Sequence, residues 1–150
     1  MATIILIGFL GAIVSAVVGT IWYNPAWTPM GRWHMQYLGF DKLFPEEQEK
    51  MKKAAAPKMW KTYSGQLLLS LLTSFFIAGV TSYSVQNGAP ASSVFYYIPM
   101  IWLCFTVPMI GQNILWGTCA GSLAWKRFFS EIFSNLITFF IIGYIATLFF

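Results

Sequence analysis

Charge is what this chain lacks most. Acidic and basic side chains make up 9% of its 150 residues, against about 25% in a soluble domain. Histidine occurs once and cysteine twice, so the ligand sets that hold a metal are missing and no metal site is expected. Cys104 falls near the middle of one apolar run and Cys119 beyond its end. Helical spacing would hold them roughly 22 Å apart, which excludes a disulfide. Internal repeats, low-complexity tracts and convergent reactive groups are also absent, and neither a catalytic residue nor a cofactor is expected. A nucleic-acid role is excluded too, because loops facing anionic lipid account for the formal net charge of +4.

What the chain has instead is apolar surface. Hydrophobic residues make up 57% of it. A soluble domain of this size could not bury that much, so lipid must be its solvent. Four apolar runs, at about 3–23, 63–83, 94–116 and 128–150, have the length of membrane-crossing helices. The expected fold is an all-α integral membrane protein, one domain of four transmembrane helices. Its long first loop, residues 24–62, is cytoplasmic and contains a short interfacial helix. No lysine or arginine precedes the first run and no cleavage site follows a short apolar core, so the run reads as a retained helix.

The stretch Ile21 to Phe40 organises the rest. Trp22 and Tyr23 arrive together as the first run ends, and Asn24-Pro25 turns the backbone out of helical geometry. Arg32 is the first charge. One reading is an aromatic belt with a helix stop. The other is a ligand or lipid-headgroup site built from Trp22, Tyr23, Asn24, Trp33 and His34.

These residues carry a resemblance. Gly19, Trp22-Tyr23-Asn24-Pro25, Gly31-Arg32-Trp33 and Gly39 resemble the opening signature of the domain-of-unknown-function family numbered seventeen sixty-one. That signature is roughly Gly-x-x-Trp-Tyr-Ser-Pro, a short aromatic segment, Gly-Lys-x-Trp and a later Gly. Trp102-Leu103-Cys104-Phe105 through Leu115-Trp116-Gly117 is similar to the family's third span, and Phe128 through Gly143 to its fourth. Asn24 stands where serine is commoner, and Ala26 to Met30 departs from the pattern. The resemblance implies a small four-helix membrane protein and carries no activity.

Asp41 to Thr62 holds most of the charge. Pro45 suits a first helical position, with Glu46, Glu47 and Glu49 early and Lys50, Lys52 and Lys53 late, as the helix dipole favours. Glu46–Lys50 and Glu49–Lys53 have the four-residue spacing of favourable pairs. Phe44, Glu47, Met51 and Ala55 define a narrow face, which predicts a short helix on or near the membrane, ended by Pro57. Met59, Trp60 and Tyr63 form a second interfacial group, with Lys58 and Lys61 placed to snorkel.

Within the runs, Gly11, Ser15 and Gly19 recur every four residues beside a second row of Gly8, Ala12, Ala16 and Thr20. Such ridges let another helix approach closely. Ser70, Ser74 and Ala78 make a similar ridge in the second run, and Pro99 and Pro108 should kink the third. Every lysine and arginine lies in 24–62 or 117–127, so the positive-inside rule puts both termini outside and both charged segments in the cytoplasm. That orientation suggests a polar layer of Asn24, Gln66, Gln112, Asn113, Glu131 and Asn135. It reads either as interhelical hydrogen bonding or as a shallow cytoplasmic pocket with Glu131 as its titrating group.

Three functions compete. The leading one is a non-catalytic structural or accessory subunit that packs through its helices in a homo-oligomer or larger membrane complex. Its partners are then the lipid bilayer and other membrane helices, with Gly8, Gly11, Ser15 and Gly19 as packing residues. The second is a small-molecule transporter or binding protein, although the first three runs lack the deep ionisable group of ion-coupled carriers. The third is a membrane enzyme. Length, helix count and first loop are similar to the membrane-associated eicosanoid and glutathione metabolism family. The arginine, asparagine and glutamate set of that family's second span is missing from Gln66 to Tyr83, and His34 has no identifiable partner as a general base.

Overall fold

Each apolar run folds as helix, because backbone donors and acceptors flanked by apolar side chains are satisfied most simply within the segment. The computed structural model describes residues 1–115 and 121–150, with side chains except at 52, 55, 56, 58, 59, 62 and 115. The described helices are α1 (Ala2–Trp22), α2 (Pro29–Tyr37), α3 (Pro45–Gln86), α4 (Val94–Ile101), α5 (Val107–Leu115) and α6 (Ser122–Phe149). Among the described residues there is no strand. Four stretches are long and apolar enough to cross a membrane: Ala2–Trp22, Tyr63–Gln86, Ala91–Ile114 and Ser122–Phe149.

The core lies where α1, α3, α4 and α6 meet. Gly8 sits beneath the Phe75 ring and Gly11 lies against Ser74 and Ile142, so a Cβ at either position would collide. Gly143 of α6 likewise lies against Ile98 of α4. Ile77, Val94, Ile98, Phe139 and Ile142 form one buried cluster, and Ile7, Ala78 and Ala146 another. Ser74 is 0% exposed, and its hydroxyl donates to the Ser70 carbonyl at 2.7 Å, so its burial leaves no unmet donor. Large apolar side chains such as Phe9, Leu72 and Phe105 point outward, the inverse of a water-soluble surface.

Helices α4 and α5 are joined by a π-helical turn, Trp102–Thr106. It lies between Pro99 and Pro108 and ends just before Pro108. A proline ring crowds the carbonyl four residues back, here that of Cys104, and a wider turn relieves the crowding.

Pro57 does not end a helix. α3 runs unbroken from Pro45 to Gln86 over 42 residues, with Pro57 inside it. The expected interfacial helix and second span are therefore one element, and the short helix of the first loop is α2. Lysine, methionine and alanine flank Pro57 and favour helix, and Lys53, whose carbonyl the proline leaves without a helical donor, is an exposed residue. At the start of α3 the Glu47 carboxylate accepts a hydrogen bond from the Phe44 amide at 3.0 Å, and Glu49 pairs with Lys53 at 4.0 Å. α6 also begins earlier than expected, so Trp125, Lys126 and Arg127 belong to its first turns. Trp116, Gly117 and Cys119, and the side chains of Lys58 and Met59, lie outside the described residues.

Candidate functional site

The chain reverses immediately after α1. Asn24 Oδ1 accepts from the Ala26 amide at 2.9 Å, a local turn that occupies its side chain. Thr28 caps α2: its hydroxyl oxygen accepts from the Gly31 amide at 3.0 Å, and the hydroxyl donates to the Trp22 carbonyl. Gly31 lies on the Asn24–Pro25 peptide, where any Cβ would strike backbone. This close approach folds α2 against the first turns of α6.

Side chains then converge on α6 from two directions. Trp22 Nε1 donates to the Ser130 carbonyl at 3.1 Å and to the Ser130 hydroxyl at 3.0 Å. Trp102 Nε1 donates to the Ile132 carbonyl at 2.7 Å. Between them, Asn135 Nδ2 donates to the Glu131 carbonyl at 2.8 Å. Three successive carbonyls of one helix thus accept side-chain donors as well as their helical partners.

The charges are enclosed by the same contacts. Arg127 Nε donates to Glu131 Oε1, and the two side chains are 32% and 24% exposed. The Arg127 guanidinium lies 4.1 Å from the Tyr37 ring centroid, within cation–π range. The Tyr23 and His34 rings meet at 5.1 Å, and the Lys126 ammonium lies 5.6 Å from the Trp33 ring centroid. Tyr23, just past the end of α1, has its phenol pushed up to about 12 by burial and then by the charge of Glu131. The neighbouring hydroxyls of Ser134 and Ser130 oppose that rise. Burial, followed by the charge of Arg127, lowers the pKa of His34 and favours its neutral form, with Glu131 opposing.

A family model described as a protein of unknown function, DUF1761, matches residues 6–147. The chain belongs to the DUF1761 family. No curated protein and no solved structure matches it. Several of the residues that carry the resemblance to DUF1761 build the reversal. Trp22 and Tyr23 contact α6, Asn24 and Gly31 form the tight approach, and Gly39, at a φ of 75°, makes the next turn.

Of the residues singled out in this DUF1761 chain, the structure brings together Trp22, Tyr23, Trp33, His34, Glu131 and Asn135. Asn24 lies beside them but bonds its own turn. Gln66, Gln112 and Asn113 are exposed on α3 and α5, away from this cluster. Trp60 is also exposed on α3, with Lys61 5.8 Å from its ring centroid. Gly8 and Gly11 are packed against α3, Ser15 is half-buried, and a Cβ on Gly19 would meet nothing within 4 Å. Tyr37, Trp102, Arg127, Ser130 and Ser134 also belong to the cluster but are not among those candidates; the signal that could have found one of them is the four-residue spacing of Arg127 to Glu131.

Within the cluster the Glu131 carboxylate is paired with Arg127, and the indoles of Trp22 and Trp102 donate to α6 carbonyls. A groove of about 500 Å³ lies elsewhere, lined by Phe76, Gly79, Val80, Tyr83 and Tyr97, among others.

Proposed function

We propose that this DUF1761 member is a small multi-pass membrane protein that acts as a non-catalytic structural or accessory subunit. It packs through its helices in a homo-oligomer or larger membrane complex. The observation that carries the reading is the internally bonded cluster at the α1–α2–α6 junction. Its charged pair and its Trp22 indole are engaged with one another and with α6, through Arg127–Glu131 and Trp22–Ser130, and the Tyr23 and His34 rings pack together. What the chain offers to its surroundings is helix surface. The distribution of lysine and arginine further supports both termini outside and both charged segments in the cytoplasm.

The test is the mass of the native complex after gentle extraction from membranes at natural expression level. Co-migration with another protein, or a defined homo-oligomer, is the expected result. A lone monomer would overturn the reading and turn attention to the cluster as a binding site. Protease accessibility of tags at the termini and in the Ser84–Ser93 loop tests the orientation, and cytoplasmic termini would reverse it.

A further inference from the structure

Charge along α3 is sorted by sign. Glu46, Glu47 and Glu49 stand near its start, and from residue 50 to residue 61 lysine occurs five times and an acid never. The helix dipole accounts for Glu46 and Glu47, which lie in the first turn. It does not account for the lysines. Because α3 runs unbroken to Gln86, Lys61 lies about 37 Å from its C-terminal end, and the dipole acts only within the last turn. Pairing along the helix does not account for them either. Among the described residues the one ion pair of α3 is Glu49–Lys53, at 4.0 Å between side chains that are 63% and 78% exposed, and such a pair contributes little.

What the charges follow is distance from the apolar stretch. Measured along the helix axis from Tyr63, where that stretch begins, Lys61 lies about 3 Å out, Lys53 about 15 Å, and the three glutamates about 21 to 26 Å. A headgroup layer is roughly 5 to 8 Å deep, and the field of a charged surface decays over about 8 Å at physiological salt. Lys61 therefore stands at headgroup level and Lys53 at the reach of the field, with the acids beyond both. The same level is marked on α6. Lys126 stands two residues ahead of Phe128, where the last apolar run begins, as Lys61 stands two ahead of Tyr63. Each lies beside an indole: Lys61 5.8 Å from the ring centroid of the exposed Trp60, and Lys126 5.6 Å from that of Trp33. Arg32, next to Trp33 on α2, is exposed, and among the described residues neither it nor Lys61 nor Lys126 is in an ion pair.

We propose that Arg32, Lys53, Lys61 and Lys126 form a cationic collar that binds the headgroups of anionic phospholipids. The proposal rests on the reading that the chain is a multi-pass membrane protein with its charged segments on one side. Orientation alone would tolerate acids among these cations, because aspartate and glutamate contribute little to it. A negative surface would not, since it attracts lysine and arginine and repels carboxylates. Residues 24–40, 50–61 and 117–127 hold cations and no acid at all. The aromatic belt does not require the cations either, because the opposite ends of the spans expose Tyr83, Tyr96 and Tyr97 with no lysine or arginine beside them. Charge of one sign, at headgroup depth and free of internal partners, is the complement of a phosphate surface.

The experiment reconstitutes the full chain in phosphatidylcholine bilayers with a trace of spin-labelled phosphatidylglycerol or spin-labelled phosphatidylcholine. The lipid slowed by contact with the protein is read from the electron paramagnetic resonance spectrum. A several-fold preference for phosphatidylglycerol is expected at about 0.15 M salt, falling toward parity at about 1 M, where the field is screened within about 3 Å. Arg32→Gln, Lys53→Gln, Lys61→Gln and Lys126→Gln together should remove most of that preference. Adding Asp41→Asn, Glu46→Gln, Glu47→Gln and Glu49→Gln returns the formal net charge to +4 and should not restore it. Restoration would overturn the collar and assign the preference to net charge. Equal slowing of both labels by the wild-type chain would overturn anionic lipid as the occupant and leave the cations to an acidic segment of another protein. Phosphatidylcholine is slowed beside any spanning helix, so its slowing shows that each variant is inserted. Slowing of neither label by the wild-type chain would remove the multi-pass reading, and the collar with it.

Discussion

The two ends of this helical bundle are held together by different physics, and α1 shows both along one helix. Toward the termini, α1 touches α3 and α6 through bare glycines, Gly8 under Phe75 and Gly11 against Ser74 and Ile142. Toward the charged segments the same small-residue row reaches Gly19, where nothing stands within 4 Å, and contact passes to Trp22, whose indole reaches Ser130. Close contact between helices in lipid depends on removing side-chain volume. Where the helices stand apart, a long side chain with a polar tip bridges the gap and must end on an acceptor.

Five substitutions would break or sharpen that contrast. The largest effect belongs to Gly11→Leu, which has no space at the terminal end. It should cost about 3 kcal/mol or more, as overpacking of a tight core does, and lower the unfolding midpoint in detergent sharply. Gly19→Leu, in the same row, should change stability by less than about 0.5 kcal/mol. Equal losses at both positions would mean that the row acts as one surface. At the charged end, Arg127→Ala should cost about 2 kcal/mol, because it leaves Glu131 partly enclosed without its partner. Arg127→Ala with Glu131→Gln should recover part of that loss in the same denaturation series. Trp22→Phe removes two hydrogen bonds and should cost about 1 kcal/mol. An unchanged midpoint would show the indole to be ornamental to the junction.

The smallest effect is a pH dependence. The pKa of His34 is lowered in the folded chain, so its contribution to stability is fully present above its ordinary value of 6.5 and is lost as pH falls through the folded value. Unfolding midpoints measured between pH 7 and 5 should therefore decline in the wild-type chain and decline less in His34→Gln. Parallel curves would place the acid sensitivity elsewhere.

The helices were legible from apolar run length alone, since a backbone surrounded by lipid has few ways to satisfy its hydrogen bonds. The reversal after Tyr23 was legible in Asn24-Pro25, and the pairing of Arg127 with Glu131 in their four-residue spacing. Pro57 was misleading: local sequence marks a stop, and a helix strong on both sides, with Lys53 an exposed residue, carries straight through. The residues of the polar layer are divided for a related reason. Depth along a helix can be counted from sequence, but the direction a residue faces depends on which neighbour lies there. Glu131 pairs with Arg127 beside α2 and Asn135 bonds back to its own helix, while Gln66, Gln112 and Asn113 are exposed.

Sequence by itself therefore determined the all-helical character, the four apolar stretches, the family and the clustering of charge at one end. These follow from composition and spacing along a single chain. Only the tertiary structure decided that Gly11 packs and Gly19 does not, that the indoles of Trp22 and Trp102 end on α6 carbonyls, and that one face of α3 is left uncovered. Each of those depends on the distance between helices far apart in sequence, and that distance is set by how the small-residue faces meet.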